Sequence, residues 1–173
     1  MARSTRREFL QRAAAVSAVS FLPAHARAAA APSDRVNVGV IGCGGRGKYL
    51  LSQFQKQAGS SVVAVCDPDS ERAAEARQMA PASKSYTDLR KLLESPDVDA
   101  VVIGTCNHWH CLAAIWAMQA GKHVYVEKPL AHRNGEGEQV IAAAKRYDRV
   151  CQVGTQQRSD PMQAEIKKVL HED

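Results

Sequence analysis

The sequence predicts an α/β fold: a doubly wound parallel sheet with helices on both faces. Three observations predict it. Short, near-continuous apolar runs alternate with segments of helical periodicity from residue 36 onward. The runs lack the polar alternation of a half-exposed sheet, as expected for parallel strands covered on both faces. The first run also opens onto glycines spaced G-x-G-x-x-G, and the next run ends at an acid, Asp67. With right-handed crossovers, the natural arrangement is a Rossmann-type sheet in the order 3-2-1-4-5-6.

Each element has its own signal. Residues 36–41 form the first strand, and a helix carrying Leu50, Leu51 and Phe54 follows over about 45–57. Residues 61–66 form the second strand. A polar, alanine-rich helix begins near Asp69 or Ser70 and stops at Pro81. Residues 83–86 form a short third strand, and Thr87 or Asp88 caps a helix with Leu89, Leu92 and Leu93, which Pro96 ends. Residues 98–104 form the fourth strand. A helix presenting Leu112, Ile115, Trp116 and Gln119 on one face then runs to Gly121, a natural C-terminal stop. Residues 123–126 and 150–153 form the fifth and sixth strands. Between them lies a helix with Val140, Ile141, Ala144 and Tyr147, and a last helix carries Ile166, Val169 and Leu170.

The N-terminus reads as a leader outside the fold. Arg6-Arg7 precede Phe9-Leu10 and a ten-residue apolar stretch, 13–22, and then Pro23 and small residues suited to cleavage. This resembles a twin-arginine signal peptide over 1–28, with 29–35 as a linker and 36–173 as the folded domain. The stretch is short against the ~20 residues that span a bilayer. It implies periplasmic location or export by the twin-arginine machinery. Five arginines against Glu8 in this leader account for four of the five net positive charges of the chain. The basic balance therefore carries no argument for nucleic acid, and no basic stripe with interleaved aromatics occurs. The cysteines, Cys43, Cys66, Cys106, Cys111 and Cys151, form no C-x-x-C pair, so no metal site is expected.

The glycine turn is a dinucleotide fingerprint. Gly42 permits the sharp turn, Gly44 admits a pyrophosphate to the backbone, and Gly47 lets the helix pack against the strand. The turn as a whole, with Cys43, Gly45 and Arg46, is the candidate phosphate cradle at a helix N-terminus. Asp67, twenty positions after Gly47, is placed to accept hydrogen bonds from the adenosine ribose. A carboxylate there favours NAD over NADP, because it repels a 2′-phosphate; Arg46 or Arg72 could soften that preference.

The loops at the other strand ends carry a resemblance. Thr105-Cys106-Asn107-His108-Trp109-His110, Glu127-Lys128-Pro129-Leu130-Ala131 and Gly154-Thr155-Gln156-Gln157-Arg158 follow the glycine turn in order and spacing. Together they resemble the Gfo/Idh/MocA family of NAD(P)-dependent oxidoreductases over roughly residues 35–173. The resemblance implies that Glu127-Lys128-Pro129 lies beside the nicotinamide, with Lys128 as the catalytic residue that contacts substrate and helps proton transfer. It implies cofactor contacts from Thr105, Asn107, His110, Glu127 and Lys128. Cys106 stands where the family usually has proline. His108 and Trp109 fit a rim contact or a packing role equally, and Arg158 fits a substrate contact or a solvated position.

The family also has a second α/β domain carrying further acid/base residues and often the oligomer interface. The chain ends before that domain would begin, so a homo-oligomer is expected only of a longer form. The leading expectation is an oxidoreductase acting on a sugar or polyol-like alcohol with tightly held, recycled NAD. The alternatives are an NAD-dependent glycosidase of the same superfamily and a dinucleotide-binding fragment without catalysis.

Overall fold

The computed structural model describes residues 35–171. The expected leader and nearly all of the linker lie outside the described residues.

Six parallel strands form one sheet in the expected order, 3-2-1-4-5-6. They are β1 (Val36–Ile41), β2 (Ser60–Cys66), β3 (Lys84–Tyr86), β4 (Ala100–Ile103), β5 (His123–Glu127) and β6 (Cys151–Gly154). The connecting helices are α1 (Gly45–Gln55), α2 (Ser70–Met79), α3 (Leu89–Leu93), α4 (His110–Gln119) and α5 (Glu136–Tyr147), and α6 (Pro161–His171) follows β6. Short 3-10 turns precede α4 and α6, at Asn107–Trp109 and Gln156–Ser159. Val40 pairs with Val65 on one side and Val102 on the other, so β1 is central. The sheet therefore reverses its winding direction between β1 and β4, the switch point outside which such sheets bind ligands.

Alternation along the strands builds a core on each face. Val38, Val40, Val65 and Val102 pack with Leu50 and Leu51 of α1 and Ala76 of α2. Val101, Ile103, Val124 and Val126 pack with α3, α4 and α5 on the opposite face. The cap ambiguities resolve in favour of the aspartates. Asp69 accepts from the amides of Glu71 and Arg72, and Asp88 accepts from that of Arg90. Gly121 takes φ +77°, the left-handed stop expected after α4.

Three expectations change. The fourth strand begins at Ala100 rather than residue 98, because the Asp99 carboxylate caps the amide of Asn37 at 2.8 Å beside the start of the ladder. In α4 the buried face is Ala113, Ala114, Ala117 and Met118, while Leu112 is exposed and Ile115 and Trp116 are half-buried. Small side chains let the helix lie close on the sheet, so Leu112 is left outside and Ile115 and Trp116 pack only against the margin of that core. Similarly, Val140 and Ala143 are the buried residues of α5, and Ile141 is exposed. No helix among the described residues is long and apolar enough to cross a membrane.

Candidate functional site: a cleft at the carboxyl ends of the strands

Parallel strands bring their C-terminal loops to one edge, and a cleft of about 710 Å³ opens there. The turn after β1 forms its floor. Gly42 has φ +87°, and a Cβ on it would stand 2.7 Å from the amide nitrogen of Thr105. A Cβ on Gly47 would collide with the carbonyl oxygen of Gly42. Where Gly44 and Gly45 would carry a Cβ there is open space. Gly44 precedes α1 with no side-chain cap, so the first amides of the helix have no intrahelical or side-chain partner among the described residues. An uncapped helix start with an unobstructed approach fits a diphosphate.

Asp67 directly follows β2 and borders the same cleft, only 5 % exposed. Its Oδ2 accepts from the Cys43 amide at 2.7 Å and its Oδ1 from the Asp69 amide at 2.9 Å. Two backbone donors thus fix the carboxylate, and each oxygen keeps acceptor capacity for a hydroxyl. Cys43 contributes differently from the expectation. Its side chain is fully buried and donates to the Cys66 carbonyl at 3.4 Å, so only its backbone serves the site. Burial and the nearby Asp67 push its thiol up to about 11.

The loop after β4 divides. Thr105, Cys106, His108 and Trp109 line the cleft. Asn107 is exposed at the start of the 3-10 turn and does not line it. His110, expected at the cofactor, is 1 % exposed and does not line the cleft either. Its Nδ1 lies 2.7 Å from the Pro129 carbonyl oxygen and its Nε2 lies 3.1 Å from that of Thr105. A carbonyl oxygen faces each ring nitrogen, and the ring N–H donates to one of them according to the tautomer, so His110 lies between the β4 and β5 loops and ties them together. Cys111 adds to the tie, its thiol donating to the Leu130 carbonyl at 2.9 Å.

Glu127 ends β5, 5 % exposed, and accepts from Arg46 at 2.6 Å. Lys128, next in the chain, is exposed, and no described residue pairs with its ammonium. Arg158 is exposed on the 3-10 turn after β6. Among the described residues no group of three or more His, Cys, Asp or Glu could hold a metal ion.

Sequence reasoning missed the wall formed by Asp88, Leu89, Arg90 and Trp116. The first three follow β3 at the same carboxyl edge, so the rule that located the other loops would have found them. Trp116 carried no such signal, because its ring reaches the cleft from the second turn of α4, edge-on to Trp109 at 6.3 Å.

A family model described as an oxidoreductase family with an NAD-binding Rossmann fold, Gfo/Idh/MocA, matches residues 36–155. The chain belongs to this family. It is 37 % identical over 137 residues to inositol 2-dehydrogenase 2 of Saccharopolyspora erythraea, covering 78 % of the chain and 40 % of that relative. It is 40 % identical over 125 residues to an alpha-N-acetylgalactosaminidase of Shewanella oneidensis, covering 67 % of the chain and 27 % of the relative. An NAD-binding oxidoreductase from Klebsiella pneumoniae superposes with a TM-score of 0.72 at 32 % identity, over 80 % of the chain and 39 % of that structure. Among Gfo/Idh/MocA proteins, then, this chain spans about 40 % of the length of the inositol dehydrogenase relative, and the matched part is the dinucleotide-binding fold.

Proposed function

We propose that this chain supplies the NAD-binding half-site and the catalytic lysine of an oxidoreductase acting on a sugar or polyol-like alcohol. The observation that carries the proposal is the Arg46–Glu127 bond, which ties the glycine turn to the start of Glu127-Lys128-Pro129 at the same sheet edge as Asp67, although that segment does not itself line the cleft. Bound NAD would supply the hydride acceptor. The protein's part is to bind, orient and move a proton. The amides at the start of α1 would hold the diphosphate, and the fixed Asp67 carboxylate would hold the adenosine ribose. That carboxylate supports NAD rather than NADP, since its charge opposes a 2′-phosphate. The Lys128 ammonium, unpaired among described residues and beside the buried Glu127, would hold the substrate oxygen and exchange its proton at Nζ. The inositol dehydrogenase relative supports a polyol as the substrate class. The Arg6-Arg7 leader supports export, and with it a cofactor held tightly and recycled in place.

The test is reduction of NAD during turnover of a polyol and sugar panel, using the chain together with whatever further sequence its gene encodes. The proposal requires NADH to appear with at least one polyol, and Lys128→Met to abolish it with NADH affinity kept. The galactosaminidase relative supports a second reading, transient oxidation within glycoside cleavage. Release of a chromogenic aglycone with no net NADH would favour that reading.

A further inference from the structure

One arginine ties the cleft to the end of β5, beyond the cleft lining. Arg46 lies in the first turn of α1, inside the glycine turn, and borders the cleft. Its Nη2 reaches the end of β5 and donates to Glu127 Oε1 at 2.6 Å. With its amide oxygen toward the guanidinium, Gln156 of the β6 loop accepts from the same nitrogen at 2.9 Å and donates to the Gly154 carbonyl. The Tyr49 ring supports the guanidinium, with its centroid 4.9 Å from Cζ. Among the described residues, Glu127 has no other cationic partner. A buried carboxylate with one cation depends on that cation. The Arg46 side chain, however, is 37 % exposed, and Nη2 is one of its three nitrogens. Donors remain for a second anion at the turn.

We propose that Arg46 is a positioning residue shared between Glu127 and the cofactor's diphosphate, coupling dinucleotide binding to the placement of the Glu127-Lys128 segment. The inference rests on the dinucleotide-binding reading above. Its electrostatics have a definite sign. Glu127 and a diphosphate are two anions on one guanidinium, so each weakens the other's hold. Neutralising Glu127 frees the guanidinium for the diphosphate. A purely structural ion pair predicts the reverse, because its loss would loosen the site for every ligand alike.

Calorimetric titration of the intact chain with ADP-ribose, which carries the diphosphate, and with adenosine, which lacks it, separates the two. Arg46→Met is expected to weaken ADP-ribose about tenfold or more while leaving adenosine within about twofold. Glu127→Gln, which keeps the side chain's shape and its acceptor oxygen, is expected to tighten ADP-ribose about threefold or more, again without affecting adenosine. In the double variant that gain should vanish, since no guanidinium remains to be freed. If Arg46→Met does not fold, Glu127→Gln alone decides the matter. Unchanged or weaker ADP-ribose binding by Glu127→Gln overturns the shared-cation proposal. So does loss of adenosine binding by Arg46→Met equal to its loss of ADP-ribose. Failure of the unmodified chain to bind ADP-ribose at all overturns the dinucleotide reading itself, and this proposal with it.

Discussion

Asp67 is held by two backbone amides, at 2.7 and 2.9 Å, so it cannot swing aside for a 2′-phosphate without giving up both bonds. Asp67→Ala is therefore expected to lower the preference for NADH over NADPH by about tenfold, read as the ratio of their dissociation constants. An unchanged ratio would remove the acid from cofactor selection. The thiols offer a second residue-scale test. Burial pushes Cys43 up to about 11 and Cys66 up to about 12, so both stay protonated and unreactive near pH 8. Cys106 is exposed on the cleft wall. Alkylation at pH 8, followed by peptide mass mapping, should label Cys106 first and leave Cys43 and Cys66 intact. Saturating NADH should slow the labelling of Cys106.

At the scale of elements, the glycine turn depends on contacts that no other residue type tolerates. Gly47→Ala would drive a methyl group into the Gly42 carbonyl and is expected to cost about 1–3 kcal/mol or more in chemical denaturation. His110→Ala would leave the Thr105 and Pro129 carbonyls without their shared partner and open a buried hole, at a cost of about 2–4 kcal/mol. The cap of α3 brings a pH dependence. The Arg90 side chain and backbone hold Asp88 down to about 2 from its ordinary 3.8. A depressed folded-state value stabilises the fold above the unfolded value. That contribution is lost as pH falls from about 4 toward 2, so Asp88→Ala should flatten the acid limb of the stability curve. The strands, the turn and the caps were legible in the sequence because apolar runs, Gly42, Gly47, Asp69 and Asp88 act locally. The buried face of α4 was not. Ala113, Ala114 and Ala117 win it through their small size against the sheet, and periodicity counted Leu112 and Trp116 as heavier signals.

At the scale of the molecule, the strand order was readable because alternating elements and handed crossovers leave few topologies. The order alone gathers Gly44, Asp67, Thr105, Glu127 and Gly154 at one edge. Contacts between those loops were not readable. The Arg46–Glu127 pair spans 81 positions, and the His110 tie to Pro129 spans 19. Each depends on side-chain reach across neighbouring strand ends, which spacing in the chain does not encode. The fold also places the chain's two tryptophans, Trp109 and Trp116, on the wall of the cleft. That makes the central claim directly measurable. Titration of the chain with NADH, exciting tryptophan and recording nicotinamide emission, should give saturable energy transfer that Gly44→Asp abolishes and excess ADP-ribose displaces. No saturable transfer at millimolar NADH, with the protein folded, would contradict a dinucleotide site at this cleft.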